Sequence, residues 1–460
     1  MTRLALGQMR QRPATFLGLA AALFLAVATM TLFGSLLAAQ LDAPARARTA
    51  PTGPGLTVIA AAFGEIAVLV AFFVVVNALG FAVRQQHREL ALLRTIAATP
   101  RQVRRLVRHQ VVAVVVLVAV PGSVAGAVAA RRFLTELTRR GMASPAVRVP
   151  ATPVPMLVAT AAALVVGTAA AAVAARRIAR IAPAAAMAAS STEHGRGGLM
   201  RVLVGAAALV GGGLLCRLAA TRPPDEGDKA GQAALLASLV LLIAVALLGP
   251  LAARGMVAVL GAPVRAVAGC SGWLADANLR GYAHRLSAAV VPVALLVGLS
   301  GTMSIMTSTA ENALGRAADP GLTTVTSDTD TWLRQVELAL LVCFAAVSTV
   351  NTLVALTADR RREFALLTLV GATRRRLLSM LGIEAVLTTA VGVVLGGLVA
   401  AAASSSFSVA LTGSAVPSVP AATCGWIVVG AAALTVPGIL GTGARAASGP
   451  ATERVGGQRG

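Results

Sequence analysis

The sequence predicts an all-α polytopic membrane protein with about ten transmembrane helices in a 4+2+4 arrangement and no large extracytoplasmic domain. Its composition is 57% hydrophobic and 13% charged over 460 residues, whereas a soluble domain has about 25% charged residues. Ten apolar stretches each approach the roughly 20 residues needed to cross the hydrocarbon core. An internal repeat then relates the first four stretches to the last four. Together these observations exclude a water-soluble fold.

The ten predicted membrane helices occupy residues 14–39, 56–81, 108–130, 153–175, 200–220, 232–256, 284–308, 332–357, 380–404 and 421–443. The first follows Arg3, Arg10 and Arg12, as a signal peptide would, but its apolar run is too long for a typical signal sequence. We therefore expect an uncleaved first helix; the alternative is cleavage at Leu37-Ala38-Ala39. A short interfacial helix is expected around Trp273 and Tyr282.

The basic residues set the expected orientation. The net charge is +22, and the only lysine is Lys229. With a cytoplasmic N-terminus, most arginines fall on inside connections, as the positive-inside rule requires. The arginines of 131–150 oppose this trend on the outside. Because no basic stripe is interleaved with aromatic residues, the charge favours membrane lipid over nucleic acid.

Two segments of the chain repeat at a constant offset of 274 residues. The offset aligns Asn77 with Asn351, Arg88-Glu89 with Arg362-Glu363, Ala91-Leu92-Leu93 with Ala365-Leu366-Leu367, Ala98-Thr99 with Ala372-Thr373, and Arg101 with Arg375. It also carries helices 1 to 3 onto helices 7 to 9, and helix 4 onto helix 10 with a drift of about six residues. The copies are parallel, because six helices separate them. We predict a first half at 1–180, a linker and two-helix insert at 181–283, a second half at 284–445 and a disordered tail at 446–460.

Each repeat contains a short amphipathic helix followed by a membrane span. Leucines at three- and four-residue spacing give the short helix an apolar face. Thr99 and Thr373 then suit the N-caps of the next helices, with Pro100 at the first helical position of one of them. The pattern predicts a helix at the cytoplasmic surface that turns directly into a span.

These two motifs resemble the coupling-helix signature of FtsX-like permeases, which include MacB-type exporters and Bce-type antibiotic-resistance transporters. The first copy departs from the pattern at Ala97, where the second has Gly371, and at Pro100. The resemblance implies that the two motifs dock on two ATPase subunits per chain. The docking residues it implies are Arg88, Glu89, Leu92, Leu93, Ile96, Arg362, Glu363, Leu366, Leu367, Val370 and Gly371. The alternative is that both motifs are ordinary interfacial helices.

The sequence contains no catalytic constellation. A P-loop needs a glycine-rich loop ending in Gly-Lys-Ser/Thr, and Lys229 stands in Gly227-Asp228-Lys229-Ala230. We therefore expect no enzyme activity, no cofactor and no metal on this chain, with ATP and Mg²⁺ bound by the partner ATPase. The resemblance places the chain in the bacterial plasma membrane, with both termini cytoplasmic.

Four intramembrane polar residues are candidates for a substrate path, since charged groups within spans are costly and often functional. Glu65 and Glu337 occupy nearly matching positions in the two halves, and Asn77 matches Asn351 at the repeat offset. The alternatives are that the carboxylates reach lipid headgroups or the arginines of 131–148, and that the asparagines form interhelical hydrogen bonds.

Three functions remain open from the sequence. The first is ATP-driven export or extrusion of an amphipathic or hydrophobic compound or an antimicrobial peptide, which the short outer segments 40–55 and 309–331 favour. The second is a non-transporting mechanotransmission complex that activates an extracytoplasmic partner. The third is a channel or proton-coupled carrier, against which the paired motifs and the lack of an evident buried charge relay both argue.

Overall fold

The computed structural model describes residues 13–44, 56–85, 99–150, 152–179, 197–223, 226–267, 269–281, 283–317, 328–358 and 361–447. Over these residues the chain is helical, with short connections and no strand. The predicted tail at 446–460 lies almost wholly outside this part of the chain. The chain divides into two compact units, Met1–Ser191 and Thr192–Gly460.

The helices are, in chain order, α1 (Pro13–Asp42), α2 (Leu56–Gln85), α3 (Pro100–Arg139), α4 (Val154–Ala179), α5 (Gly197–Ala220), α6 (Gly227–Val267), α7 (Gly269–Gly281), α8 (Ala283–Ala317), α9 (Asp328–Ala358), α10 (Arg361–Leu369), α11 (Arg374–Thr412) and α12 (Ala421–Ala447). Each of the ten predicted membrane segments falls on one of them. The short helix expected around Trp273 is α7.

Eight of the described helices are long and apolar enough to cross a membrane, namely α1, α3, α4, α5, α6, α8, α11 and α12. The other two predicted spans lie on α2, a 30-residue helix, and α9, which carries the shorter apolar stretch Ala339–Thr352. The sequence prediction of an all-helical, multi-pass protein without a large soluble domain is therefore confirmed.

The repeat is visible in both helix bounds and helix contacts. α3 begins at Pro100 and α11 at Arg374, 274 residues later. In the first unit α1 packs on α2, α3 and α4, and α4 also packs on α2 and α3. In the second unit α8, α9, α11 and α12 form the same five pairs. The two four-helix halves therefore share one packing scheme.

Glycines bring the long helices together at equivalent points of the two halves. A Cβ on Gly122 of α3 would lie 3.1 Å from the Val27 side chain of α1. A Cβ on Gly396 of α11, at the repeat offset, would lie 2.7 Å from the backbone oxygen of Ala294 on α8. Small residues permit such close backbone approach in membrane helices. This crossing anchors each half.

The insert helices α5 and α6 pack on each other and on the second half, where α6 contacts α8 and α11. Within α6, Pro250 has no N–H for the carbonyl of Ala246 four residues earlier. Arg201 of α5 donates to that carbonyl at 2.9 Å, and to the Leu247 carbonyl at 2.8 Å. The arginine thus supplies the backbone partner that the proline removes.

The turn between α5 and α6 is held by one shared carboxylate. Glu226 accepts from Lys229 at 2.7 Å and from Arg222 at 3.0 Å. The hydrogen bond from Lys229, with a further one from Arg222, lowers the pKa of Glu226 from its ordinary value. These contacts close the predicted polar turn at 221–231.

Candidate coupling surface of the second repeat

The second predicted docking motif forms the nine-residue helix α10, Arg361–Leu369. The aromatic ring of Phe364 is fully buried, and Thr368 donates from its hydroxyl to the Phe364 carbonyl at 2.7 Å. The backbones of Arg362 and Glu363 lie in this helix, while their side chains are outside the described part of the structure. α10 is therefore fixed to the protein body along one face.

The end of α10 is a Schellman turn built on Gly371. The Ala372 N–H donates to Leu367 at 2.9 Å, and the Gly371 N–H donates to Thr368 at 3.0 Å, which is the paired pattern of that motif. Gly371 has a φ of +95°, a conformation that glycine adopts without a Cβ penalty. The turn explains the glycine in this second copy of the motif.

Threonine N-caps start the following long helix in both repeats, as predicted. Thr99 and Thr373 have the same backbone angles, φ −73° and ψ 152°, and each hydroxyl accepts from the N–H three residues later. In the first repeat the Thr99 N–H in turn donates to the Gln102 Oε1 at 2.8 Å, which completes a capping box. The two spans therefore begin in the same backbone geometry.

The two faces of α10 have different partners. Phe364 and Leu367 pack into an apolar cluster with Ala275 of α7 and with α11 residues that include Leu377 and Met380. On the other face the apolar side chains are exposed: Leu366 by 48%, Leu369 by 57% and Val370 by 88%. We call these three residues the α10 stripe. Their spacing of three and four residues places them on one helix face.

This arrangement separates two leucines that the sequence motif treats alike. Leu366 belongs to the exposed α10 stripe, whereas Leu367 packs against the chain's own core. Leu369 belongs to the stripe but was not selected from the sequence. The missed signal was its position three residues after Leu366, on the same side of the helix.

Helix α7 connects this apolar cluster to the insert through buried polar groups. The buried carboxylate of Asp276 bonds Arg265 of α6 at 3.0 Å and Arg280 at 3.1 Å. Two residues on, the Asn278 amide donates to the buried carboxylate of Glu384 on α11. Two carboxylates are therefore buried in this region, and each has polar partners from other helices or its own.

Glu384 has a counterpart in the first half. It lies ten residues after the start of α11, about 15 Å along the helix axis. Gln110 lies ten residues after the start of α3 and is also buried. The repeat therefore keeps a buried polar side chain at this depth, charged in one half and neutral in the other. A carboxylate inside predicted span 380–404 was the signal that could have revealed it.

The other predicted site residues lie on α2 and α9 or outside the described residues. Glu65 is exposed on α2, and Asn351 is half-buried on α9. Asn77 and Glu337 lie in α2 and α9, and their side chains are outside the described set. The first predicted docking motif, with Arg88, Glu89, Leu92, Leu93 and Ile96, lies in 86–98, also outside the described residues.

The helices and the two capped turns define a duplicated, polytopic helical fold. The sequence matches the family described as FtsX-like permease C-terminal over residues 61–183 and again over 336–449, together just over half of the chain. The chain belongs to the FtsX-like permease family. No curated protein matches the sequence.

The two matched segments fall in the two repeats, which confirms the resemblance inferred from the motifs. Members of this family are non-catalytic transmembrane subunits that generally pair with ABC ATPase subunits. The chain is accordingly a multi-pass membrane protein with an ABC transporter permease-type role.

Proposed function

We propose that this chain is the permease of an ABC transporter that exports or extrudes an amphipathic or hydrophobic compound, or an antimicrobial peptide, across the bacterial plasma membrane. The observation that carries the proposal is the α10 stripe, an exposed apolar surface on a helix whose other face is fixed to the core. An exposed apolar patch on a helix that is packed against the protein core is suited to protein docking. ATP and Mg²⁺ act on the partner, and this chain supplies the membrane path.

Two ATPase subunits would bind each chain. The motif occurs in both repeats, and Thr99 and Thr373 start the long helices with the same backbone angles. ATP-driven movement of one ATPase would push on α10, then on α11 and α7 through the cluster around Phe364. The Asp276 ion pairs extend that path to α6 of the insert. Both termini would lie in the cytoplasm, on the side of the ATPases.

The docking step is tested with two exposed valines of the second half, one in the α10 stripe and one in the loop between α11 and α12. Val370→Asp places a charge in the α10 stripe, whereas Val416→Asp places the same charge on a valine that is 80% exposed between α11 and α12. We expect Val370→Asp to abolish co-purification with the partner ABC ATPase, and Val416→Asp to leave it intact. Glu363→Lys should also dissociate the ATPase. Full ATPase binding by both Val370→Asp and Glu363→Lys would disprove the docking assignment.

The transport step is tested by ATPase activity in lipid nanodiscs. Amphipathic compounds that are carried should stimulate hydrolysis, and Glu65→Gln or Glu337→Gln should alter that stimulation. Stimulation that is unchanged in both variants would mean that these carboxylates have a structural role. Hydrolysis that responds only to an extracytoplasmic protein would favour the mechanotransmission alternative.

A further inference from the structure

The outward face of α3 carries an apolar stripe that ends in arginine. Leu117, Val120, Val124 and Val128 are all exposed. Their spacing of three and four residues places them on one side of the helix. The same side continues through the exposed residues Arg131, Thr135 and Arg139. We call this set the α3 track: apolar along its length and cationic at its C-terminal end.

Helix length places the arginines at the edge of the hydrocarbon. α3 is 40 residues long, about 60 Å at 1.5 Å per residue. The uncharged run between His109 and Arg131 spans about 32 Å, close to the 30 Å thickness of the hydrocarbon core. Arg131 and Arg132 therefore lie at headgroup depth, and Arg139 lies about 11 Å further along the axis.

The positive charge of this end is poorly balanced. Glu136 is shared by Arg140 at 2.9 Å and Arg139 at 3.7 Å. Within the described part of the chain, Arg131, Arg132 and the exposed Arg148 of the following loop form no ion pair. A guanidinium group offers a planar fork of donors that matches a phosphate. The surface is therefore complementary to an anion.

The second half provides an internal comparison. On α11, Val394 and Leu398 are exposed at the repeat offset from Val120 and Val124, whereas Val391, at the offset from Leu117, is buried. The track is therefore duplicated in its middle. Its end is not: Ser405, Ser406 and Gly413 replace Arg131, Arg132 and Arg139. α11 ends on a left-handed Gly413 without any basic residue in its last turn. The equivalent long helix α11 therefore terminates without arginines. Helix termination does not explain the arginines at the end of α3.

We propose that the α3 track binds an anionic phospholipid, with acyl chains along Leu117–Val128 and the phosphate against Arg131 and Arg132. A free anion would contact only the arginines, whereas a phospholipid engages both parts of the track. Arginine near an anionic membrane surface strengthens binding about fivefold per residue. Removing two should weaken selection of anionic over zwitterionic lipid about 25-fold. The inference goes beyond transport, and it is tested on the chain without any ATPase.

The experiment is site-specific photocrosslinking of the full chain in nanodiscs that contain equal amounts of phosphatidylglycerol and phosphatidylcholine. The photoreactive residue p-benzoylphenylalanine replaces Val128, or replaces Ala402 as the matched control. Ala402 is exposed at the repeat offset, one turn before Ser405. We expect preferential crosslinking of phosphatidylglycerol at 128, loss of that preference in the variant Arg131→Gln/Arg132→Gln, and no preference at 402.

Each other outcome overturns the proposal. Equal crosslinking of both lipids at 128 would remove the anionic selectivity. An equal preference at 128 and 402 would show that the arginines are not its cause. Loss of the phosphatidylglycerol crosslink on addition of excess inorganic phosphate would identify a free-anion site instead of a lipid site. A folded double-glutamine variant, checked by its thermal unfolding, keeps the comparison valid.

Discussion

Gly396 and Gly397 are neighbours on α11, and only Gly396 lies at the crossing with α8. A Cβ on Gly396 would stand 2.7 Å from the Ala294 oxygen and 2.9 Å from the Gly298 nitrogen. Backbone atoms cannot rotate away, so Gly396→Ala must separate the two helices. Overpacking of this kind costs about 1–3 kcal/mol. A Cβ on Gly397 meets no heavy atom of the described residues within 4 Å.

Both alanine variants gain the same helix propensity, up to about 1 kcal/mol. Their difference in stability therefore isolates the crossing, at about 1–3 kcal/mol. With about 2–4 °C per kcal/mol for a unit of this size, Gly396→Ala should unfold about 2–12 °C below Gly397→Ala in identical nanodiscs. Gly122→Ala should fall between them, because its nearest contacts are longer, at 3.1 Å and 3.3 Å. Equal unfolding temperatures for Gly396→Ala and Gly397→Ala would refute the close crossing.

Three further predictions follow from the coupling region and the α5–α6 turn. Gly371→Ala should lower the free energy of unfolding by about 1–2 kcal/mol, because it places an alanine in a left-handed conformation. It should also speed hydrogen exchange of the amides of residues 371 and 372 and weaken ATPase binding. Unchanged exchange would contradict the turn. Glu384→Gln should keep the bond from Asn278 and remain stable, whereas Glu384→Leu should cost about 1–3 kcal/mol by leaving that amide unpaired; a thermal melt that ranks them in reverse order would contradict the network. For Glu226, a folded pKa below the unfolded value means that the ion pairs stabilise the turn above the unfolded pKa of about 4.3. That contribution should vanish as pH falls through the lowered folded pKa. The unfolding temperatures of wild type and Glu226→Gln should therefore differ at neutral pH and converge at low pH, and a difference that is constant with pH would contradict this.

Helix positions were predictable because they depend on local sequence. An apolar run of about 20 residues predicts a span without knowledge of its neighbours, and Thr99 followed by Pro100 predicts a cap from two adjacent residues. The repeat was predictable for a similar reason, since an offset is read along one chain. These features are determined by residues that are close together in the sequence or by comparison along the one chain.

The polar network beside α10 depends on contacts that are remote in sequence. Asn278 and Glu384 are 106 residues apart, and no spacing rule joins them. The direction of α10 is a second example. Leu366 and Leu367 differ by 100° around a helix axis, and a nine-residue helix with apolar residues on two sides does not reveal which side the core will take. The apolar cluster that Phe364 forms with residues of α7, α11 and α12 decides it.

The two halves share one helix packing scheme but differ in polar side chains at equivalent positions, and both facts constrain how the protein works. The shared packing scheme and the equal backbone angles at Thr99 and Thr373 favour similar responses of the two halves under the proposed docking of two like ATPases. Two sets of polar side chains are unequal in the two halves: buried Gln110 has buried Glu384 as its counterpart at the repeat offset, and Arg131 and Arg132 of α3 have serines as counterparts on α11. Under the two proposals, like ATPases would act on both halves, whereas only the first half would bind an anionic lipid at this position. Exchange of Arg131 and Arg132 for the serines found at 405 and 406 should therefore change lipid selection and leave ATPase docking at α10 intact.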